Sequence, residues 1–369
     1  MSTIASIIDR ISDPSILFTI ILILTLLIFP PTKPLRKLHG LLKVDRLWTN
    51  AGGLVLLVTF LAFFGIGLTD PDFASIATKP DNIPITALMF MVAFFLWFAM
   101  KQARANDRRI AEGKKPAEAG GGKVLVWPDL VYIEFISLIL ISVLLIGWSI
   151  ALKAPLEEPA NPTVSPNPSK APWYFLGLQE MLVYFDPWLA GVVFPTLIIV
   201  GLMAIPFLDE RREGQGYYSF EERGRVMTLF MFGWLSLWVF LIYTGTFLRG
   251  PNWNFFGPFE TWDVNKRVVL NNINLSEIIY VRLLGIGLPR TPIVREAFGF
   301  AIVVSYFLIL PGLLAKTVFK DLFERLGRAK YGVMIMLLLA MLSLPLKMYA
   351  RWLFNLKYVI SIPEVFFNI

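Results

Sequence analysis

Long apolar runs separated by charged segments dominate the chain. A helix needs about 20 apolar residues to cross a hydrocarbon core of about 30 Å, and eight nearly uncharged runs have this character, the last being short. They are Pro14–Thr32, Ala51–Thr69, Ile83–Met100, Leu130–Leu152, Pro187–Leu208, Val226–Leu248, Ala297–Ala315 and Tyr331–Leu346. The pattern predicts an all-α, polytopic membrane protein with about eight transmembrane helices, called here the first to eighth spans.

The composition excludes several kinds of metal centre. Of the 369 residues, 56% are hydrophobic and 17% are charged, whereas charged residues make up about 25% of a soluble domain. The absence of cysteine excludes disulfides and cysteine-ligated zinc or iron-sulfur centres, and a single histidine, His39, excludes a haem held between two histidines of this chain. Any redox metal must therefore sit on a partner chain. We expect His39, in the first basic loop, to be solvated or lipid-facing.

The basic residues behind the net charge of +7 are concentrated in one set of loops. If eight spans alternate, the loops 33–46, 101–123, 211–225 and 316–330 lie on one side and carry 21 of the 34 Lys and Arg residues. The positive-inside rule makes these loops cytoplasmic and places both termini on the outer, periplasmic side. Membrane topology thus explains the charge better than nucleic-acid binding. The first apolar run ends in Phe29-Pro30-Pro31 and basic residues, which is not typical of a cleaved signal peptide.

Composition divides the chain into three parts. Residues 1–123 form a three-helix membrane extension that ends in the Gly-rich connector Ala117–Lys123. Residues 124–249 carry three further spans around two informative loops. Residues 250–369 begin with an aromatic, Asn-rich outer segment and continue with the last two spans.

A proline-rich segment follows the fourth span. Its prolines forbid a helix and favour extended backbone; they are Pro155, Pro159, Pro162, Pro166, Pro168 and Pro172. The aromatic stretch Trp173–Glu180 comes next, and it predicts a short helix at the membrane interface with Pro172 near its first turn. Such a helix can wall a ligand pocket, or it can be an ordinary aromatic belt without a ligand.

Several motifs occur in an order that resembles a known family. They are Trp127-Pro128-Asp129-Leu130, Ala154-Pro155-Leu156-Glu157, Ala160-Asn161-Pro162, Lys170-Ala171-Pro172-Trp173-Tyr174-Phe175 and Ile205-Pro206-Phe207-Leu208-Asp209. Over residues 127–249 the series resembles subunit IV of photosynthetic bf complexes, which corresponds to the C-terminal half of cytochrome b in bc complexes. In that family the Trp-Pro-Asp segment is cytoplasmic and the Trp-Tyr loop is outer, in agreement with the charge pattern.

The resemblance implies a subunit of a bacterial quinol:cytochrome c oxidoreductase in the cytoplasmic membrane, with menaquinone as the quinone. Such complexes oxidise quinol at the outer face, pass electrons to a Rieske iron-sulfur protein and to b haems, and contribute to proton translocation. The family's haem-binding helices need four histidines, so a haem-bearing cytochrome b-like subunit is an expected partner, together with the Rieske protein, a c-type cytochrome and lipids. This chain would not be catalytic alone.

The resemblance also indicates a quinol site. The family has Pro-Glu-Trp-Tyr at the outer pocket, where this chain has Ala171-Pro172-Trp173-Tyr174, so Pro172 replaces the proton-accepting Glu. Glu180 stands seven residues after Trp173, about two helical turns, and projects from nearly the same face. We predict that Glu180 accepts a quinol proton, with the alternative that it points to headgroups or binds a neighbouring arginine. Tyr174 would hydrogen-bond the quinol or the docked Rieske head, and Pro172, Trp173 and Phe175 would form apolar walls of the quinol pocket.

A second candidate site lies at the cytoplasmic end of the fourth span. Asp129 opens this span and Glu134 lies about a turn inside it, where a carboxylate usually faces protein or water. The two carboxylates could serve a quinone or proton site, or Glu134 could pair with a basic loop residue. Two other functions remain open for the chain: a structural subunit, favoured by the loss of the motif's Glu, and a transporter, disfavoured by the nearly uncharged spans.

Overall fold

The computed structural model describes residues 2–120, 125–152, 159–209, 219–269 and 271–369. Within these ranges seven helices are long and apolar enough to cross a membrane: Asn50–Gly67, Ile83–Ala111, Val126–Ala151, Leu189–Leu208, Phe220–Leu248, Ala297–Lys316 and Lys320–Phe354. An eighth crossing is formed if the bent pair Thr3–Ile11 and Pro14–Ile28, which meet at 75°, counts as one span. The all-α, multi-pass architecture is confirmed.

Shorter elements connect the spans. The short helices are Ser2–Ile11, Lys33–Leu41, Pro71–Ala77, Trp173–Met181 and Pro292–Arg295. Several long helices contain π-helical turns, at Leu189–Val193, Phe232–Val239, Thr244–Leu248 and Ser305–Ile309, and a separate π-helical turn covers Glu277–Leu283. Among the described residues the only strands are Ser361–Ile362 and Phe367–Asn368, an antiparallel pair. Helices therefore carry the whole membrane part.

The first and last spans differ in length from the prediction. The first ends as a helix at Ile28 rather than Thr32, because Pro30 and Pro31 follow directly. The eighth was predicted as short, but the helix runs from Lys320 to Phe354 with a break at Gly327, whose φ is +71°. A positive φ favours glycine, so Gly327 sets the angle between the short helical segment before it and the membrane-crossing part after it.

The largest buried cluster joins spans from all three parts of the chain. Phe18 of the first span is fully buried there, with a ring centroid 5.1 Å from that of Phe240 in the sixth span. Tyr349 and Trp352 of the eighth span complete the aromatic contacts, at 5.7 and 5.8 Å from Phe18. One face of the first span therefore packs into the helix bundle.

Loops meet at two opposite ends of the bundle. At the first, called here the basic end, Arg36 pairs with Glu221 at 3.1 Å and Ser219 donates to Asp107 at 2.8 Å. At the second, called the polar end, the backbone N–H of Phe259 donates to Asp9 at 2.9 Å. The grouping of these loops follows the alternation expected of eight spans. Which end faces the cytoplasm stays a prediction, and Arg211 and Arg212 lie outside the described residues.

The expectation for His39 is wrong. Its side chain is buried at the basic end, where Nδ1 donates to the carbonyl oxygen of Leu27 at 2.9 Å and Nε2 lies 2.9 Å from Asp45. Arg104 of the third span also pairs with Asp45 and approaches Nε2 at 3.1 Å. The histidine joins the first loop to the third span because the chain turns back there, a tertiary contact that its polar sequence surroundings did not indicate.

The fourth span stands apart from the other helices. None of the 21 residues Val131–Ala151 is buried. An apolar helix in a membrane can be covered by lipid or by other helices, and close helix packing relies on small or polar residues. This span therefore presents its full circumference to lipid or to a partner chain.

Candidate functional site

The proline-rich segment is extended and tied to the polar end. From residue 159 to residue 172 it contains no helix, as predicted; its first motif, Ala154–Glu157, lies outside the described residues. Asn167 and Asn252 exchange two hydrogen bonds, one of 2.9 Å between side chains and one of 2.6 Å from the Asn252 backbone N–H. The described part of the proline-rich segment, residues 159–172, is called here the strap, and it lies against the aromatic segment that follows the sixth span.

The predicted interfacial helix forms over Trp173–Met181, called here the aromatic helix. One face, containing Leu176, Gly177 and Glu180, is buried. The opposite face exposes Tyr174 and Phe175, whose side chains are 50% and 52% exposed. The helix is therefore two-sided, with its carboxylate inside and two aromatic rings outside.

Close helix packing fixes the buried face. A Cβ atom placed on Gly177 would lie 3.2 Å from Ile242 of the sixth span, and one placed on Gly245 would lie 3.2 Å from the carbonyl oxygen of Leu176. Small residues allow helix backbones to approach in this way. The aromatic helix consequently has one well-defined position against the sixth span.

Glu180, which is fully buried, forms an ion pair with Arg249, whose side chain is 12% exposed. Arg249 Nη2 donates to Oε1 at 2.7 Å and its Nε donates to Oε2 at 3.0 Å, a two-pronged arrangement. The Nη1 of Arg249 donates to the carbonyl oxygen of Trp253 at 3.0 Å, and Tyr184 lies 3.5 Å from Oε1. Burial opposes the charge of Arg249, yet Glu180 raises its pKa above the ordinary value. The pair links the aromatic helix to the end of the sixth span.

The geometry bears on both interpretations of Glu180. Glu180 contacts an arginine, as the alternative interpretation expected. An ionised carboxylate can still accept a proton, but it must then give up part of its interaction with Arg249. Its proton-accepting role therefore stays a prediction. Arg249 itself was not singled out, although a basic residue directly after an apolar span was a visible signal.

Lys170 is a second charged group that the sequence reasoning missed. Its ammonium donates to the carbonyl oxygen of Thr246 at 2.8 Å and lies 4.8 Å from the centre of the Trp262 ring. Burial, with a smaller contribution from Lys79, lowers the pKa of Lys170 to about 7. The buried Oγ1 of Thr246 and Nε1 of Trp262 have no hydrogen-bond partner among the described residues. This corner of the polar end thus contains a titratable amine beside unsatisfied polar atoms.

The carboxylates of the fourth span lie apart from the aromatic helix. Asp129 accepts a 3.3 Å hydrogen bond from the backbone N–H of Leu125 and stabilises the turn that begins the span. Glu134 is exposed, and among the described residues it has no charged partner. The structure does not bring these two groups near Glu180, so they form a separate candidate site.

Haem ligation does not fit this chain. Both ring nitrogens of His39 lie within hydrogen-bond distance of protein groups, and the ring is buried in the basic-end cluster. Within the ranges that the structure describes, no group of three or more His, Cys, Asp or Glu residues could hold a metal ion. We therefore derive no step of electron transfer through a metal held by this chain.

The fold and the two-sided aromatic helix define a class, a polytopic α-helical membrane protein with a candidate site at its polar end. Residues 159–261 match a family model described as cytochrome b (C-terminal)/b6/petD. This segment contains most of the proline-rich segment, the aromatic helix, the fifth and sixth spans and the aromatic turn that follows them, and it is similar to the cytochrome b C-terminal family. The match confirms the resemblance drawn from the sequence. No solved structure matches the chain.

The family determines the general kind of protein. Cytochrome b C-terminal segments occur in membrane subunits of bc- and b6f-type oxidoreductase complexes, which carry out electron transport with quinol and haem b. The chain is accordingly a multi-pass membrane protein of such an electron-transport assembly. The first three spans and the last two lie outside the matched segment.

Proposed function

We propose that this chain is a subunit of a bacterial menaquinol:cytochrome c oxidoreductase and forms one wall of its outer quinol-oxidation pocket. The observation that carries the proposal is the aromatic helix, which lies inside the family match and presents Tyr174 and Phe175 outward. A haem-bearing cytochrome b-like subunit, a Rieske protein and a c-type cytochrome are the proposed partners. The bacterial cytoplasmic membrane is the proposed location.

The two faces of the aromatic helix have different roles in this proposal. The buried ion pair of Glu180 and Arg249 holds the helix in place, while Tyr174 and Phe175 contact the quinol ring. Flat aromatic side chains suit an apolar ring, and the Tyr174 hydroxyl can hydrogen-bond a quinol oxygen. Because this wall is half exposed, the opposite wall must come from the cytochrome b-like partner.

Proton removal requires a base at this end. Oxidation of one quinol to quinone releases two electrons and two protons, and the electrons leave to metal centres on partner chains. Glu180 is the proposed acceptor; because it lies on the buried face of the aromatic helix, the proton would reach it from the quinol through an intermediate group, and Glu180 would loosen its contact with Arg249 as it takes the proton. Lys170 offers a second acceptor, since a pKa of about 7 leaves part of its amine neutral at physiological pH.

A single and a double variant of the ion pair, compared in the assembled complex, test the role of Glu180. We expect Glu180→Gln to lower quinol:cytochrome c turnover by about 100-fold, in the range of general acid–base effects, and to change its pH profile. This single variant leaves Arg249 buried without its partner, which destabilises by itself. The double variant Glu180→Gln with Arg249→Gln removes both charges and keeps neutral hydrogen-bonding groups in the pocket.

The double variant separates the two roles. If Glu180 accepts protons, the double variant folds normally but stays slow. If Glu180 only holds the helix, the double variant regains most of the lost turnover and the proton-accepting role is refuted. Glu260→Gln is the matched control, because Glu260 forms an outer ion pair with Lys266 at 2.5 Å and is partly exposed; it should leave turnover unchanged.

A non-catalytic structural subunit is the second candidate function. The observation that favours it is Pro172, an exposed residue without a proton to exchange at the family's Glu position. A quinol analogue carrying a photoreactive group distinguishes the two functions in the purified complex. Crosslinks to Tyr174 or Phe175 support the quinol pocket, and crosslinks confined to partner chains support the structural role.

Asp129 and Glu134 are proposed as the carboxylates of a quinone or proton site at the basic end, completed by a partner chain. The exposed position of Glu134 on an otherwise apolar span supports this proposal, since an unpaired carboxylate at that depth is costly. Quinone-dependent reoxidation of the b haems should slow in Glu134→Gln. An unchanged rate would assign Glu134 to the lipid headgroup region.

A further inference from the structure

A cavity of about 340 Å³ lies between the seventh and eighth spans at the basic end. Its lining is almost entirely apolar and includes Phe307, Pro311, Phe323, Tyr331 and Ile335. This volume is within the range of small-ligand sites, about 300–1,000 Å³. The cavity is separate from the aromatic helix and from Glu134, and neither candidate site uses it.

Two glycines keep the cavity open. Gly312 of the seventh span and Gly332 of the eighth both line it, and a Cβ atom placed on either would meet nothing within 4 Å. The Tyr331 hydroxyl donates to the carbonyl oxygen of Pro311 at 2.9 Å, which joins the two spans beside the opening. The cavity, called here the slot, is therefore kept open by the hydrogen bond that joins the two helices and by two glycines, which place no side chain in it.

A positive charge stands at the slot. Lys316, the last residue of the seventh span's helix, is exposed and lines the cavity. The surrounding loop, residues 316–330, contains five basic residues and only two acidic ones, Asp321 and Glu324. Basic pockets between transmembrane helices on the cytoplasmic side bind anionic lipid headgroups. An apolar slot with an adjoining cation matches a molecule with an acyl chain and a phosphate.

We propose that this cavity binds an anionic glycerophospholipid, with one acyl chain between Gly312 and Gly332 and the phosphate against Lys316. A quinone fits less well, because its head carries no charge to interact with Lys316. A zwitterionic lipid could fill the slot but would gain less from the positive loop. The occupant is thus defined by its tail and by its net negative charge, independently of the proposed quinol site.

Native mass spectrometry of the full-length chain in detergent tests the headgroup. The probes are phosphatidylglycerol and phosphatidylcholine with identical acyl chains. We expect wild-type protein to retain phosphatidylglycerol preferentially and Lys316→Gln to lower that retention about fivefold, the effect of one cation near a lipid surface. Lys316→Arg should keep the preference. Lys114→Gln removes an exposed charge from the same end and should change nothing.

The slot itself is tested by filling it. Gly312→Leu places a side chain in the cavity and should abolish retention of both lipids. Gly65→Leu is the matched control, because Gly65 is exposed on the second span and its Cβ would also meet nothing within 4 Å. Equal retention of the two lipids, unchanged retention in Lys316→Gln, or displacement of the bound lipid by equimolar menaquinone would each overturn the proposal.

Discussion

At the scale of single residues, the polar end depends on charges that are buried in pairs. Removing one partner of a buried ion pair is strongly destabilising, about 3–5 kcal/mol, because the other charge is left without compensation. Glu180 and Arg249 therefore stabilise the aromatic helix only while both are ionised. Lys170 lies nearby and donates to a backbone carbonyl, and no carboxylate among the described residues is in hydrogen-bond contact with it.

The lowered pKa of Lys170 predicts how folding stability changes with pH. Its pKa falls from 10.5 to about 7 on folding, so between these values the unfolded chain binds a proton that the folded chain lacks. Folding stability from this group therefore rises as pH increases from about 7 to 10.5 and is constant below that interval. Lys170→Met should remove the rise, so its melting temperature should exceed that of wild type more at pH 7 than at pH 10.

The measurement is thermal unfolding of both proteins at pH 7 and pH 10 in one detergent. Because other groups also titrate, the quantity to compare is the difference between the two proteins at each pH. Lys114→Met is a useful control, since Lys114 is exposed and pairs with Glu112 at 2.7 Å. If the difference in melting temperature between Lys170→Met and wild type is the same at both pH values, the pKa of Lys170 is not lowered by folding and the prediction is refuted.

The site could be predicted only where its residues are neighbours in sequence. The strap and the aromatic helix follow from prolines and aromatic residues that stand together. Arg249 is 69 positions from Glu180, and Thr246 is 76 positions from Lys170, so no local periodicity links either pair. His39 was misjudged for the same reason, because Arg104 reaches it from the third span.

At the scale of elements, contact between the aromatic helix and the sixth span depends on Gly177. Its hypothetical Cβ would stand 3.2 Å from Ile242, tighter than ordinary packing. We expect Gly177→Val to destabilise the protein by about 1–3 kcal/mol, the usual cost of overpacking, and to lower turnover by displacing Tyr174. Chemical unfolding monitored by tryptophan fluorescence measures the first effect.

Gly191→Val supplies the comparison, because Gly191 lies in the π-helical turn that begins the fifth span and has open space around it. It should unfold almost as wild type does. Equal destabilisation of the two variants would mean that backbone flexibility, rather than helix contact, determines the cost at Gly177.

The number of spans was predictable because each is a long apolar run, but their ends were less so. Hydropathy placed the end of the eighth span at Leu346, since Lys347 follows. In the structure Lys347 is buried and donates to the carbonyl oxygen of Ile369 at 3.2 Å, and the helix continues to Phe354. A charged residue that finds a partner inside the protein does not end a helix, and that partner is remote in sequence.

At the scale of the whole molecule, orientation in the membrane follows from the basic end. The chain has no cysteine, so a single introduced cysteine reports its own location. We expect Ser165→Cys, in the exposed strap, to react with a membrane-impermeant maleimide in intact spheroplasts. Ala119→Cys, exposed beside the third span, should react only after permeabilisation.

The reverse labelling pattern would invert the molecule and place the aromatic helix at the cytoplasmic face. Labelling of both positions from outside would mean that an even number of membrane crossings separates residues 119 and 165, so that the helix Val126–Ala151 does not cross the membrane. Mass spectrometry of the labelled chain measures both positions directly, and the wild-type chain, which cannot react, provides the background.

The burial of Phe18 limits how far the gene could be shortened. A polypeptide beginning near Trp127 would keep the segment that matches the family, but it would lack the aromatic ring that fills the space beside Phe240, Tyr349 and Trp352. Deleting the first three spans would open an internal void lined by those rings. We therefore expect a chain without the first three spans to fold less stably, and a separately expressed N-terminal fragment would have to reassociate with it to fill that void.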